Sequence, residues 1–334
     1  MIKIKENLFF MLYACCLPVK GASRSIICDL QRDTFTYITN EIFDMLNSTV
    51  FLEKIENSDK KDDIIAILNY LKEEGVGFYT SNPENFPKIN FALNDFPEIV
   101  KNSIIDFDRN SNHDLLSIVE QLSELRCSAV ELRFFDEVSQ DIFTKYLSCF
   151  VSSTIRTLNI VLRYSDWTTL ENMDEILFNN KRLNKIVIHN SCNALSQKQN
   201  LQSRIHYIVD NIQDAFCCGN ISPYYFISNI DFFKDAITSN TCLNKKICVD
   251  SRGDVKNCPA MSISYGHIST TRLKECLDNE QFKKMWSIKK DDVEVCKNCE
   301  FRYICTDCRV FTINDNLYSK PKKCNYDPYK NTWN

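Results

Sequence analysis

The chain has 334 residues, 44% of them hydrophobic, and its 40 lysines and arginines against 44 aspartates and glutamates leave a formal net charge of -4. That apolar content suffices for two or three cored domains and excludes a disordered chain. Positive and negative charge are mixed along the sequence without a long run of one sign, which argues against a nucleic-acid partner.

At the start, "MIKIKENLFFMLYACCLPVKG" sets lysines before an apolar run from Leu8 to Val19, and "LYAC" is loosely like a lipoprotein cleavage box. Tyr13 fits that box badly, and a strand pattern begins almost at once after it. No run reaches the roughly 18 to 20 apolar residues of a membrane helix, so a cytoplasmic chain with no membrane partner is expected. "RSIICDLQRDTFTYIT" then reads as a hairpin around a Gln-Arg-Asp turn. Asn40 is the expected cap of a helix over "NEIFDMLNS". "DDIIAILNYLKEEG" puts Ile64, Ile65, Ile67, Leu68 and Leu71 on one apolar face and stops at Gly75. With the strand "VGFYT", residues 1–82 read as a small winged-helix unit, and Pro83 and Pro87 mark its boundary.

Over residues 83–238, apolar strands "SIIDFD", "SAVELRFF", "TLNIVLRY" and "LNKIVIHN" alternate with the amphipathic stretches "DLLSIVEQLSEL" and "SQDIFTKYLSCF". This α/β alternation predicts a parallel sheet or partial (β/α) barrel. Residues 239–334 differ, with short strands, turns and cysteines. No internal repeat is present.

Nine of the 17 cysteines lie between Cys242 and Cys324. Short spacings of this kind in a chain large enough to build its own core point to metal in a reducing compartment rather than to disulfide staples. Cys242, Cys248, Cys258, Cys296, Cys299, Cys305, Cys308 and Cys324 are eight candidate thiolate ligands, enough for two four-cysteine sites. Zinc and a cubane iron–sulfur cluster both accept four thiolates. The five residues between the two CxxC pairs of "CKNCEFRYICTDC" are few for a zinc ribbon. Cys276 falls on an expected helix as a packing residue, and the adjacent Cys217 and Cys218 read as buried or turn thiols. The histidines His113, His189, His206 and His267 are scattered, and His189, at a strand end, reads as structural.

Cys242, ten residues, Gly253, four residues, Cys258, then C-x2-C-x5-C-x2-C and Cys324: this order resembles the SPASM domain of radical SAM peptide-modifying enzymes. The resemblance implies two auxiliary 4Fe-4S clusters. It assigns Cys242, Cys248, Cys258 and Cys308 to one and Cys296, Cys299, Cys305 and Cys324 to the other. The family usually has three residues between the last pair of the run, where Cys305 and Cys308 have two. The C-x3-C-x2-C loop that holds the S-adenosylmethionine cluster in radical SAM enzymes is absent, because no cysteine is followed by another at position i+4. None of the six glycines lies between Gly77 and Gly219, so no glycine turn for that cofactor can be built there. The middle of the chain therefore reads as a degenerate barrel of the radical SAM type, without S-adenosylmethionine.

"VKGASRSIICDLQRDTFTYITNEIFDML", "KKICVDSRGDVKNCPAM", "CEFRYICTDCRVF" and "CNYDPYKNTW" extend the likeness. Together they resemble the SPASM-domain peptide maturases of grasp-with-spasm systems, which implies a precursor peptide and an ATP-grasp peptide ligase as partners. An N-terminal unit with an open strand edge suits leader recognition by β-augmentation; a packing domain and a DNA-binding winged helix are the rival readings, and the acidic "EKIENSDKKDDI" disfavours the last. Two classes of function follow. One is a peptide-modifying redox enzyme, the other a non-catalytic scaffold that presents the precursor to the ligase, with a zinc-binding structural protein as the remaining alternative.

Overall fold

The computed structural model describes residues 8–46, 50–51, 55, 59–91, 98–192 and 204–333. Two compact units divide the chain: Met1–Asp95, Ile221–Thr241 and Ile288–Asn334 form the first, and Phe96–Asn220 and Cys242–Ser287 the second. The fold is mixed α/β. Among the described residues no helix is long and apolar enough to cross a membrane.

The first unit begins with β1 (Phe9–Leu12), β2 (Cys16–Lys20), β3 (Ser25–Asp29), β4 (Thr34–Ile38), α1 (Asn40–Leu46), β5 (Val50–Phe51), α2 (Lys61–Glu73) and β6 (Gly77–Thr80). The expected hairpin is β3 and β4, with Ser25 opposite Ile38 and Asp29 opposite Thr34. Its turn is held by Asp29 Oδ1, which accepts the backbone N–H groups of Gln31 and Arg32 at 3.0 Å each. β2 flanks β3 on its other side, and a separate antiparallel sheet has the order β5-β1-β6.

All five residues of β3 are buried because both of its faces are covered. Ile27 points into a core with Phe10, Leu68 and Leu71. Ile26 and Cys28, one residue either side, enter a second core with Phe233, Phe301 and Tyr326. A strand with two apolar faces loses the usual alternation, which is why "SIIC" reads as a continuous run. At α1 the cap differs from expectation: Thr39 Oγ1 accepts the Ile42 N–H at 3.3 Å. The Asn40 side chain turns instead to Ser25 and to the carbonyls of Gly21 and Ala22. α2 ends as expected, with Gly75 at φ +70°. Later segments add α6 (Ile230–Thr238) and the pair β14 (Tyr326–Asp327) and β15 (Thr332–Trp333).

The second unit carries β7 (Asn102–Phe107), α3 (Leu115–Glu124), β8 (Ala129–Phe134), α4 (Gln140–Ser148), β9 (Thr157–Arg163), α5 (Leu170–Asn179), β10 (Leu183–His189), β11 (Ile205–Tyr207), β12 (Lys246–Val249), β13 (Val255–Lys256), α7 (Leu273–Asp278) and α8 (Glu280–Lys284). Its seven-stranded sheet has the order β11-β10-β9-β8-β7-β12-β13. β12 joins β7 in parallel and only β13 runs against its neighbour. Asp114, Ser139 and Thr169 cap α3, α4 and α5 by accepting the N–H of Leu116, Ile142 and Asn172. One face of the sheet, with Ile105, Leu132, Ile160 and Ile188, packs with the buried side of those helices. The other face carries Asp106 opposite Arg133, joined through Nε at 2.6 Å and Nη2 at 2.8 Å.

Candidate metal centres

In the second unit the thiols are placed by a hairpin. β12 and β13 pair Cys248 with Lys256 and Val249 with Val255. The turn between them needs Gly253 at φ +88°, and Asp250 Oδ1 secures it by accepting the N–H groups of Arg252 and Asp254 at 3.0 Å each. Cys248 Sγ donates to the Asn257 carbonyl at 3.3 Å, beside Cys258. Two residues before Cys248 on the same strand face stands Lys246, buried, whose Nζ lies 3.7 Å from Cys242 Sγ. Burial alone would lower that ammonium; Cys242, Cys248, Cys258 and Cys218 together carry it above its ordinary value. Burial, with Cys242 added, pushes the Cys258 thiol up to about 12. Cys248 also sits opposite Ile104 on the sheet face of Asp106 and Arg133, and the Arg133 charge works to lower its thiol against a much larger effect of burial.

The first unit repeats the arrangement with different elements. A single helical turn at Cys296–Asn298, entered through Val295 at φ +66°, leads to Cys299. Lys290 is buried and faces Cys305, Cys296, Asp307 and Cys299, whose charge overcomes burial to raise its ammonium. Asp307, fully buried, is 3.7 Å from Lys290 Nζ and 2.7 Å from Arg309 Nη2, and its Oδ2 accepts from Asn240 Nδ2 at 2.9 Å. Burial pushes the Cys305 thiol up to about 11 against the pull of Lys290, with Cys324 and Cys296 adding to the rise. Cys324 acts on Cys296 in the same sense. Cys296, Cys299, Cys305 and Cys324 are thus one electrostatic neighbourhood.

Cys308 is a buried residue of the first unit, whereas Cys242, Cys248 and Cys258 belong to the second. Cys276 lies in α7 within the core, its Sγ 3.5 Å from the Tyr265 carbonyl. Cys218 was missed as a member of the Lys246 neighbourhood. It follows a one-turn helix at Ala215–Cys217 and is exposed, and the only sequence signal was its doubling with Cys217.

Buried ammonium groups are stable only beside compensating negative charge. Four thiolates around a metal or cubane are a net anion, so Lys246 and Lys290 suit a metal-loaded thiol set of either kind. Residues 241–300 match SPASM, an iron–sulfur cluster-binding domain, and both lysines fall inside that match. The match ends before Cys305, Cys308 and Cys324. A search of curated proteins found no match to the chain.

The first unit also holds an apolar groove of about 570 Å³, lined by Phe10, Leu12, Leu17, Phe78, Phe86 and Phe233 among others. β2 and β6 contribute to it, and among the described residues each is paired on one side only. Ile27 is not at such an edge: β3 is the middle strand of its sheet.

Proposed function

We propose that the chain is a cytoplasmic iron–sulfur protein of ribosomal-peptide maturation, binding two 4Fe-4S clusters and handling a precursor peptide together with an ATP-grasp ligase. The observation that carries the metal-binding part is the pair of buried lysines, each facing its own cysteines; the match of residues 241–300 to a cluster-binding domain supports iron and sulfide as the metal group. Cys296, Cys299, Cys305 and Cys324 would hold one cluster, and Cys242, Cys248 and Cys258 would supply thiolates to the other. Such clusters supply one-electron chemistry when bound. The lysines hold positive charge where electrons would arrive, which favours the reduced state. The apolar groove supports the peptide part, since an extended segment can add to an open strand edge while its side chains fill adjoining pockets. Pro18 removes a donor from β2, so β6 is the fuller edge. The N-terminal elements then serve as the winged-helix-like recognition unit, and the parallel sheet as the remnant of a radical SAM barrel.

Within that function, the scaffold reading has its own support after β7. There the turn closes on itself: Asp108 N–H donates to Ser111 Oγ at 2.9 Å, Asn110 N–H to Asp108 Oδ1 at 2.8 Å, and Ser111 Oγ to the Ser251 carbonyl at 2.6 Å. This is the position from which a radical SAM enzyme extends its thiol loop. Anaerobically prepared protein should be brown, with about eight iron atoms and as many sulfides per chain. Its electron paramagnetic resonance signal should not change when S-adenosylmethionine is added. A colourless protein with two zinc ions would overturn the iron–sulfur reading, and a third cluster perturbed by S-adenosylmethionine would make the chain a radical enzyme.

A further inference from the structure

The sequence leaves one pair of cysteines without a role, Cys15 and Cys16, in the segment that resembles a cleavage box. Successive residues of a regular strand point to opposite faces, so adjacent cysteines seldom meet at one point. Here the chain is not regular. A turn places Cys16 N–H on the Tyr13 carbonyl at 2.8 Å, and β2 begins only at Cys16. Register then sets Cys16 opposite Asp29, while Leu30 N–H donates to the Cys15 carbonyl at 2.9 Å. As a result the Cys15 sulfur, the Cys16 sulfur and a carboxylate oxygen of Asp29 lie within 4.8 Å of one another. A fourth donor is close: Gln31 Oε1 is 3.7 Å from Cys15 Sγ.

We propose that Cys15, Cys16 and Asp29 form a binding site for one thiophilic divalent cation of the zinc type, with Gln31 Oε1 completing a tetrahedral donor set. Two thiolates and a carboxylate are ligands that zinc accepts, and the spread of the donor atoms is close to what a four-coordinate ion of this size spans. Asp29 is oriented for the task. Its Oδ1 already accepts two backbone N–H groups of the hairpin turn, and Arg32 Nη1 stands 3.5 Å from Oδ2. Outer partners of this kind are what fixes a ligating carboxylate. Asp29 and Cys16 are 3% and 2% exposed, whereas Cys15 is half-buried and gives the ion its way in. The site shares no donor with the eight cysteines of the C-terminal third.

The test counts zinc and iron by elemental analysis in the full chain, equilibrated with limiting Zn²⁺ and a weak chelator, for the unaltered protein, Cys15→Ser and Asp29→Asn. Asparagine retains the oxygen that accepts the turn N–H groups, so Asp29→Asn keeps the hairpin should Cys15→Ser disturb it. Each variant should contain one zinc fewer than the unaltered chain at unchanged iron, with at least a tenfold loss of affinity for that ion. Co²⁺ added to the unaltered chain should give thiolate-to-metal charge-transfer absorption that Cys15→Ser reduces. Equal zinc in all three proteins, or a cobalt spectrum that neither variant alters, overturns the site.

Discussion

His189, which reads as structural in the sequence, is held at both ring nitrogens. It is fully buried at the end of β10, where its Nε2 bonds to the Phe134 carbonyl at 3.0 Å and its Nδ1 accepts the Ile212 N–H at 3.2 Å. Both nitrogens are used, and only the neutral ring with its proton on Nε2 satisfies both partners. Burial accordingly lowers its pKa, against a smaller opposing effect of the Phe134 hydrogen bond. Unfolded histidine takes up a proton near pH 6.5, so this residue's contribution is whole above that pH and is lost as pH falls toward the lower folded value. His189→Gln should cost about 1–3 kcal/mol at pH 7, and its melting temperature should fall less steeply than that of the unaltered chain between pH 6.5 and 5. Parallel slopes in thermal melts would show that the ring does not titrate on unfolding. The residues of the candidate centres were legible to different degrees. Cysteine spacing alone marked eight candidate thiols, because cysteines on short turns stay close in sequence. Lys246 and Lys290 were not, since nothing local marks a lysine that will be buried. Cys15 was hidden because its partner Asp29 is brought near by strand register.

Among the elements, the hairpin of β12 and β13 ties local conformation most directly to a candidate metal centre. Gly253 sits at φ +88°, and a Cβ there would lie 2.7 Å from His267 Nε2. Its N–H donates to the Asp250 carbonyl and its own carbonyl accepts from Ile268, so the turn cannot relax freely. Gly253→Ala should destabilise the second unit by about 1–3 kcal/mol and lower iron content, because the same turn spaces Cys248 from Cys258. Thermal melts with iron counting check this, and full iron at unchanged stability would mean that the glycine does not set the thiol positions. Most elements of the second unit were readable, since strands such as "TLNIVLRY" and capped helices such as "DLLSIVEQLSEL" carry their signals within a few residues. β1 was obscured by its likeness to a targeting segment, and β5 is too short to show periodicity. The pairing of β12 with β7 has no local signature, because register between segments so far apart is decided by the finished sheet.

On the scale of the whole molecule, candidate metal ligands and the N-terminal sheet are parts of one core. Cys299, Cys305 and Cys324 pack in the same cluster as Val19, Ile26, Cys28 and Leu30. A fragment ending at residue 82 would leave those side chains without Phe233, Phe301 and Tyr326, so peptide binding by the groove is to be measured on the full chain. On the proposed ligand set, the shared core would make cluster binding and folding of the N-terminal sheet one equilibrium, since a ligand that binds only the folded state stabilises everything that folds with it. Cys299→Ala should therefore do two things. Iron should fall to about half, and the Ile26 and Ile27 amides of β3, bonded on both sides, should exchange faster with solvent deuterium. The Leu132 and Ile160 amides of the second unit should keep their protection. Cys276→Ala is the control: its sulfur is buried in the other unit's core, so it should cost about 1 kcal/mol with iron unchanged. Half the iron with β3 still fully protected would show that the cluster is a passenger on a core that folds without it.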